Sequence, residues 1–130
     1  MIRKILETRL SAIPGAPPIA WEGKAFATTQ GLFWEVFLLP AAPDNPALDV
    51  DYRRERGVLQ VTINAESGKG PKAAQDSAET IRAAFARGLD ITDGPVRLIV
   101  ERSPANAPAI IEDGRYRLPV SISYTADVFG

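Results

Sequence analysis

Residues 57–88, GVLQVTINAESGKGPKAAQDSAETIRAAFARG, change their hydrophobic period once, across a glycine-rich turn. Before the turn, Leu59, Val61, Ile63 and Ala65 alternate with Gln60, Thr62 and Asn64, the period-two pattern of a half-buried strand. After it, Ala74, Ala78, Ile81 and Phe85 form a helical stripe, narrow because alanine is small. Pro71 suits a first helical position and Gly88 the residue after a last turn, so the pattern predicts a helix over 71–87. At 1.5 Å per residue it would be about 25 Å long, enough to cross several strands. One strand followed by one close-packing helix is the unit from which the rest is read.

The connecting NAESGKGPKAAQ, residues 64–75, has the look of a phosphate-binding loop. Its spacing argues otherwise. In G-x-x-x-x-G-K-[ST], placing Gly68-Lys69 at the end puts Ile63 where the first Gly belongs and Gly70 where the hydroxyl belongs. In G-x-G-x-x-G, Gly68 and Gly70 are followed by Ala73 where the third Gly is wanted. A helix N-terminus can still hold an anion. The ordinary reading, a tight strand-to-helix hinge, is favoured.

Working outward, Ile2, Ile5, Leu6, Leu10 and Ile13 lie at helical spacing and predict an N-terminal helix closed by Pro14-Gly15. Ala16-Pro17-Pro18 forces extended chain, and Ile19-Ala20-Trp21 begins a short strand. LFWEVFLLP, residues 32–40, is apolar on both faces except for Glu35, as in a central strand or one that meets a partner. AAPDNPALDVD has no period and reads as part of a flexible loop around 40–57. VRLIVE (96–101) and RYRLPVSISYTA (115–126) are two more strands, the second expected at an edge or bulge because Pro119 lacks a ladder donor. Several sequential strands have no crossover helix between them. The fold class is therefore α+β, a mainly antiparallel sheet with two principal helices packed on one face, in a single domain over 1–130.

Composition excludes several classes of chemistry. The 130 residues include no histidine and no cysteine. Ser-His-Asp and Cys-His catalysis, the common zinc sets and disulfides all go with them. Any enzyme built here would need carboxylates, Lys, Tyr or a borrowed cofactor, and we expect neither an enzyme nor a cofactor. The net charge of −1 offers no bulk attraction to nucleic acid or an anionic membrane. No apolar run approaches the roughly 20 residues of a membrane span.

YRRER, residues 52–56, is the densest basic run and stands beside Asp44, Asp49 and Asp51. Exposed ion pairs of this sort contribute little to stability, so a solvated strand end is the simple reading. Its functional reading is a charged contact surface; nucleic acid fits less well because no stacking aromatics are interleaved. The acidic groups Asp49/Asp51, Asp90/Asp93 and Glu112/Asp113 do not follow calcium-loop spacing. Ser67 with Lys69 is an ordinary pair of turn residues rather than a nucleophile and its base. Trp21, Phe33, Trp34 and Phe37 are core candidates by default. Phe33-Trp34-Glu35 nevertheless sends bulky groups to both strand faces, so one aromatic side chain is expected to be exposed in the monomer and buried in an oligomer.

The first helix, PPIAWEGKAF, LFWEVFLLPAAP, the 57–88 unit and the closing RYRLPVSISYTA together resemble a family of small phage and prophage tail proteins similar to the tail terminator of lambdoid phages. The likeness covers nearly the whole chain in element order and is most specific over Gly57–Gly88. It implies a non-enzymatic subunit that assembles as a ring, six-membered in the lambdoid example. That ring caps the tail tube, stops its polymerisation and offers a surface to the head–tail connector protein. The implied partners are further copies of the chain, the tube protein and the connector; the implied location is the virion tail, and the host cytoplasm during assembly. On this reading Phe33, Trp34, Arg53, Arg54, Arg56 and Lys69 are candidate subunit or tube contacts. Another head–tail joining or tail-completion protein is the nearest alternative. From a different class stands a small ligand- or nucleotide-binding domain using the 64–75 turn. Titration with ATP and Mg²⁺ separates the two classes: we expect no saturable signal, whereas one abolished by Lys69→Ala would favour the binding module.

Overall fold

The computed structural model describes residues 2–23, 31–40, 52–66, 72–112 and 114–129, without the side chains of 52, 53 and 112. Helix α1 (Ile2–Ser11) is followed by β1 (Ile19–Ala20), β2 (Phe33–Pro40) and β3 (Tyr52–Glu66). Helix α2 (Lys72–Ala84) then leads to β4 (Asp90–Asp93), β5 (Val96–Val100), β6 (Ala105–Asn106), β7 (Ile110–Glu112) and β8 (Arg115–Phe129). The sheet runs in the order β1-β2-β3-β8-β5-β4, with β6 and β7 also paired to β8. All described pairings are antiparallel except β1 with β2. The α+β class and the mainly antiparallel sheet are as expected.

Alternation assigns the faces. Trp34, Ile63 and Leu118 lie in register across β2, β3 and β8, as do Val36, Val61 and Val120. These side chains are buried in one cluster with Ile5, Leu6 and Leu10 of α1 and Ala74, Ala78 and Ile81 of α2, followed by Phe85. Both helices therefore cover the same face. The alanines of α2 keep its backbone near the sheet, and Ile81 and Phe85 fill the space beyond them with no exposed surface. Helix α2 is shorter than the expected 71–87: it ends at Ala84, where the Arg9 guanidinium of α1 donates from Nε to the Ala84 carbonyl at 2.6 Å. That bond occupies one of the carbonyls a helix end leaves without an intrahelical partner. Pro71 lies outside the described residues.

Three differences from the sequence reading have local causes. Strand β3 starts at Tyr52, so YRRER lies within the strand rather than before it, and pairs with the last residues of β8. The first part of the expected 40–57 loop, residues 41–51, lies outside the described residues. Strand β4 escapes the sequence because DITD holds a single apolar residue; it forms through a two-residue turn to β5 in which Gly94 takes φ 57°. Strand β8 is central, not an edge, although it contains Pro119. The Pro119 carbonyl accepts from Ala107 N at 2.9 Å, so its ring nitrogen also points away from β3. On that side β8 changes neighbour, from β7 at 115–117 to β6 at 120–121, and no ladder donor is needed between them.

The outer edge of β2 is closed by hydrogen-bond chemistry rather than by a long neighbour. Trp34 N–H donates to the Pro18 carbonyl, Leu38 N–H to Glu22 Oε1 at 2.9 Å, and Pro40 has no N–H to offer. Edges left bare invite strand addition, and capped or proline-bearing edges resist it.

At the centre of the sheet, Gly57 pairs with Tyr124. A Cβ at Gly57 would lie 2.5 Å from the Tyr124 hydroxyl and 3.0 Å from the Leu39 carbonyl, which cannot both move away. Gly57→Ala should therefore destabilise the fold by about 1–3 kcal/mol, as overpacking typically does, measured as a lower denaturant midpoint. An unchanged midpoint would show that Tyr124 does not hold that position.

Candidate assembly surface

The face of the sheet opposite the helices carries no second layer among the described residues. On it lie Phe33, Glu35, Phe37 and Leu39 of β2, in register with Asn64, Thr62, Gln60 and Val58 of β3. Arg117, Pro119, Ser121 and Ser123 of β8 continue the rows. Where the face is most polar, it is tied together internally. Glu35 Oε1 accepts from Asn64 Nδ2 at 2.8 Å and from Arg117 Nη2 at 3.1 Å. The buried Asn64 amide is thus satisfied from the side by its neighbours, with no layer above it among the described residues. The Arg115 guanidinium lies 5.2 Å from the Phe33 ring centroid and donates to the Gly31 carbonyl, so it roofs the ring and turns a cation toward solvent.

Toward the other end, Arg54 Nε donates to Asp127 at 3.0 Å, and Arg97 pairs with Asp90 at 2.7 Å. The hydrogen bond from Arg97 holds the Asp90 carboxyl below its ordinary value. Between the two polar ends, Phe37 is 39% and Leu39 52% exposed, and Phe129, beyond Asp127 at the end of β8, is 52% exposed. A cleft of about 430 Å³ joins Leu39 and Val58 to Arg56, Arg102 and Thr125. The face thus offers apolar contact area bordered by paired charges, the usual make-up of a protein-binding surface. Among the described residues no group of three or more acidic side chains is placed to hold a metal ion, and no helix is long and apolar enough to cross a membrane.

The expected contact residues do not converge. Phe33 is on the open face but 6% exposed beneath Arg115. Trp34 points the other way, 1% exposed in the core, and its indole N–H meets no acceptor among the described residues. The exposed aromatic of β2 is therefore Phe37. Arg54 and Arg56 lie on the open face, eight to ten residues along β3 from the partner of Phe33, or about 30 Å away. The Arg53 side chain and Lys69 lie outside what is described. The signal for Phe37 and Leu39 was present in the sequence: both share the parity of Glu35, which marks the solvent side of the strand.

With this geometry in hand, the comparisons are specific. The family model described as phage tail terminator protein matches residues 1–124. The chain belongs to the phage tail terminator family. Its role is structural, in phage tail assembly, and the family is one of structural proteins. A solved structure shares 28% identity with this chain, the match covering 99% of this chain and 95% of that one, and superposes with a TM-score of 0.82. Among curated proteins nothing matches.

The same cap on the β2 edge makes a titratable feature of this family member. The Leu38 N–H holds the Glu22 carboxyl below its ordinary value, with Arg3 assisting at 3.3 Å. A carboxylate depressed in the folded state contributes its stabilisation above the ordinary glutamate value and loses it as pH falls through the lowered one. In an NMR titration, the Leu38 amide shift should follow a Glu22 midpoint below that of a free glutamate, and Glu22→Gln should remove the transition. A Leu38 amide indifferent to both would refute the cap.

Proposed function

We propose that this chain forms a ring on the end of the finished tail tube, ends its polymerisation and presents a second surface to the head–tail connector. A tube grows because each added layer exposes a new copy of the same docking face. A terminator matches that face on one side and shows a different one on the other, so growth has nowhere to continue. The observation that carries this reading is the sheet face without a covering layer among the described residues, with Phe37, Leu39 and Phe129 exposed, in a member of the tail terminator family. Its charged border, including Arg54 and Arg56, suits selection among partners more than tightness. Arg53 and Lys69 extend the proposed contact set by sequence, and Phe33 contributes through the guanidinium that covers it. Trp34 supports the contact only from behind, as core. The tail components it meets are the tube protein below and the connector above, with assembly in the cytoplasm of the bacterial host.

Electron microscopy of concentrated protein, alone and with tail tubes, tests the proposal. We expect rings at tube ends, and loss of both ring formation and tail joining when Arg53, Arg54 and Arg56 are reversed together to Glu in a variant whose circular dichroism is unchanged. A persistent monomer that never decorates tube ends would sink the terminator role. Unimpaired joining by the triple variant would remove the arginines from it.

A further inference from the structure

A closed ring of identical subunits needs two different patches on each chain, one fitting the other on the next copy. Two such patches exist away from the exposed Phe37 and Leu39, although Ile110 of the second continues the Phe33–Asn64–Arg117 row of the open face. The first is a groove of about 590 Å³ between α1, the end of α2 and β4. Ile5, Ile13 and Ile91 line its apolar part, and Lys4 and Arg9 stand against a single acid, Asp93. Arg9 is held there by its bond to Ala84, and Lys4 forms no ion pair among the described residues. The second patch is strand β7, where Ile110 is 53% and Ile111 71% exposed. These adjacent isoleucines, on opposite faces of a three-residue strand, each keep more than half of their surface exposed among the described residues; the strand ends in the acidic Glu112.

The placement of the two patches suits a head-to-tail contact. Ile111 pairs with Tyr116 near the start of β8, while Thr92, on the groove, pairs through Arg97 with Asp127 near its end. Eleven residues of strand separate the two positions, about 35 Å. A chain cannot reach its own groove. We infer that the β7 edge of one copy seats in the α1–β4 groove of the next, Ile110 and Ile111 against the apolar lining and the acidic end of the strand toward Lys4 and Arg9. The inference rests on the ring reading and gives it a specific subunit contact. Two isoleucines cover only a small part of the roughly 1,200–2,000 Å² of a stable interface. The contact is therefore weak between free subunits and accumulates when copies are gathered on a tube end.

The absence of cysteine makes a clean test possible. Ile111→Cys and Asp93→Cys, both at exposed positions and the second on the groove side of β4 with Ile91, are mixed at high concentration under oxidising conditions, with each variant alone and Phe37→Cys plus Asp93→Cys as controls. A disulfide needs Cα atoms within about 7 Å, so the bond forms only between chains. The expected result is a covalent band at twice the chain mass in the Ile111/Asp93 mixture, several-fold stronger than in any control, and lost in a Lys4→Glu/Ile91→Asp background. No such band, or one no stronger than the controls, overturns the inference. Micrographs of the same wild-type protein separate the two failures. Rings or decorated tube ends without the disulfide leave the capping role standing with a different subunit contact, and their absence removes both.

Discussion

The structure depends on one ladder. Strands β3 and β8 pair residue by residue over fifteen positions, from Tyr52 with Phe129 to Glu66 with Arg115. At about 3.3 Å per residue this is close to 50 Å of continuous pairing, long for a small protein. Strand β2 is added on one side of it; β5, β6 and β7 share the other side at different heights. Because side chains alternate with a period of two, that one register decides what every neighbour presents to each face. A slip by one residue would turn Leu59, Val61 and Ile63 outward and bring Gln60, Thr62 and Asn64 under the helices.

The two faces then diverge in chemistry. One is sealed by α1 and α2 and holds nearly all the buried apolar volume. The other has no layer above it among the described residues and is stabilised sideways, through Glu35 with Asn64 and Arg117, through Arg115 over Phe33, and through Arg54 with Asp127. A sheet built so can be stable as a single chain and still keep a surface for assembly. Its edges are treated differently again, since Glu22 and Pro40 discourage strand addition along β2.

Much of this was legible locally. The 57–88 unit, α1, β2 and β5 follow from periodicity alone, since burial of one face imposes the period on each. What was not legible depended on neighbours. DITD became a strand because the Gly94-Pro95 turn folds it back on β5. Pro119 was misleading because the proline rule concerns one side of a strand, and the sequence does not say which side is vacant. For the candidate surface, Arg54 and Arg56 were visible as charges, whereas Phe37 and Leu39 were masked by an apolar run whose single marker, Glu35, identifies the solvent side.

By itself, the sequence determined which residues share a face within each strand or helix, and that the chain carries no histidine or cysteine chemistry. These are properties of residues a few positions apart, where backbone geometry is the only constraint. The tertiary structure alone decided that β8 is central, that Trp34 is core while Phe37 is exposed, and that Ile111 and the α1–β4 groove stand at opposite ends of the sheet. Each of those outcomes depends on pairing between segments tens of residues apart. Such pairing is selected by the combined burial of whole faces, and leaves no periodic trace in either segment alone.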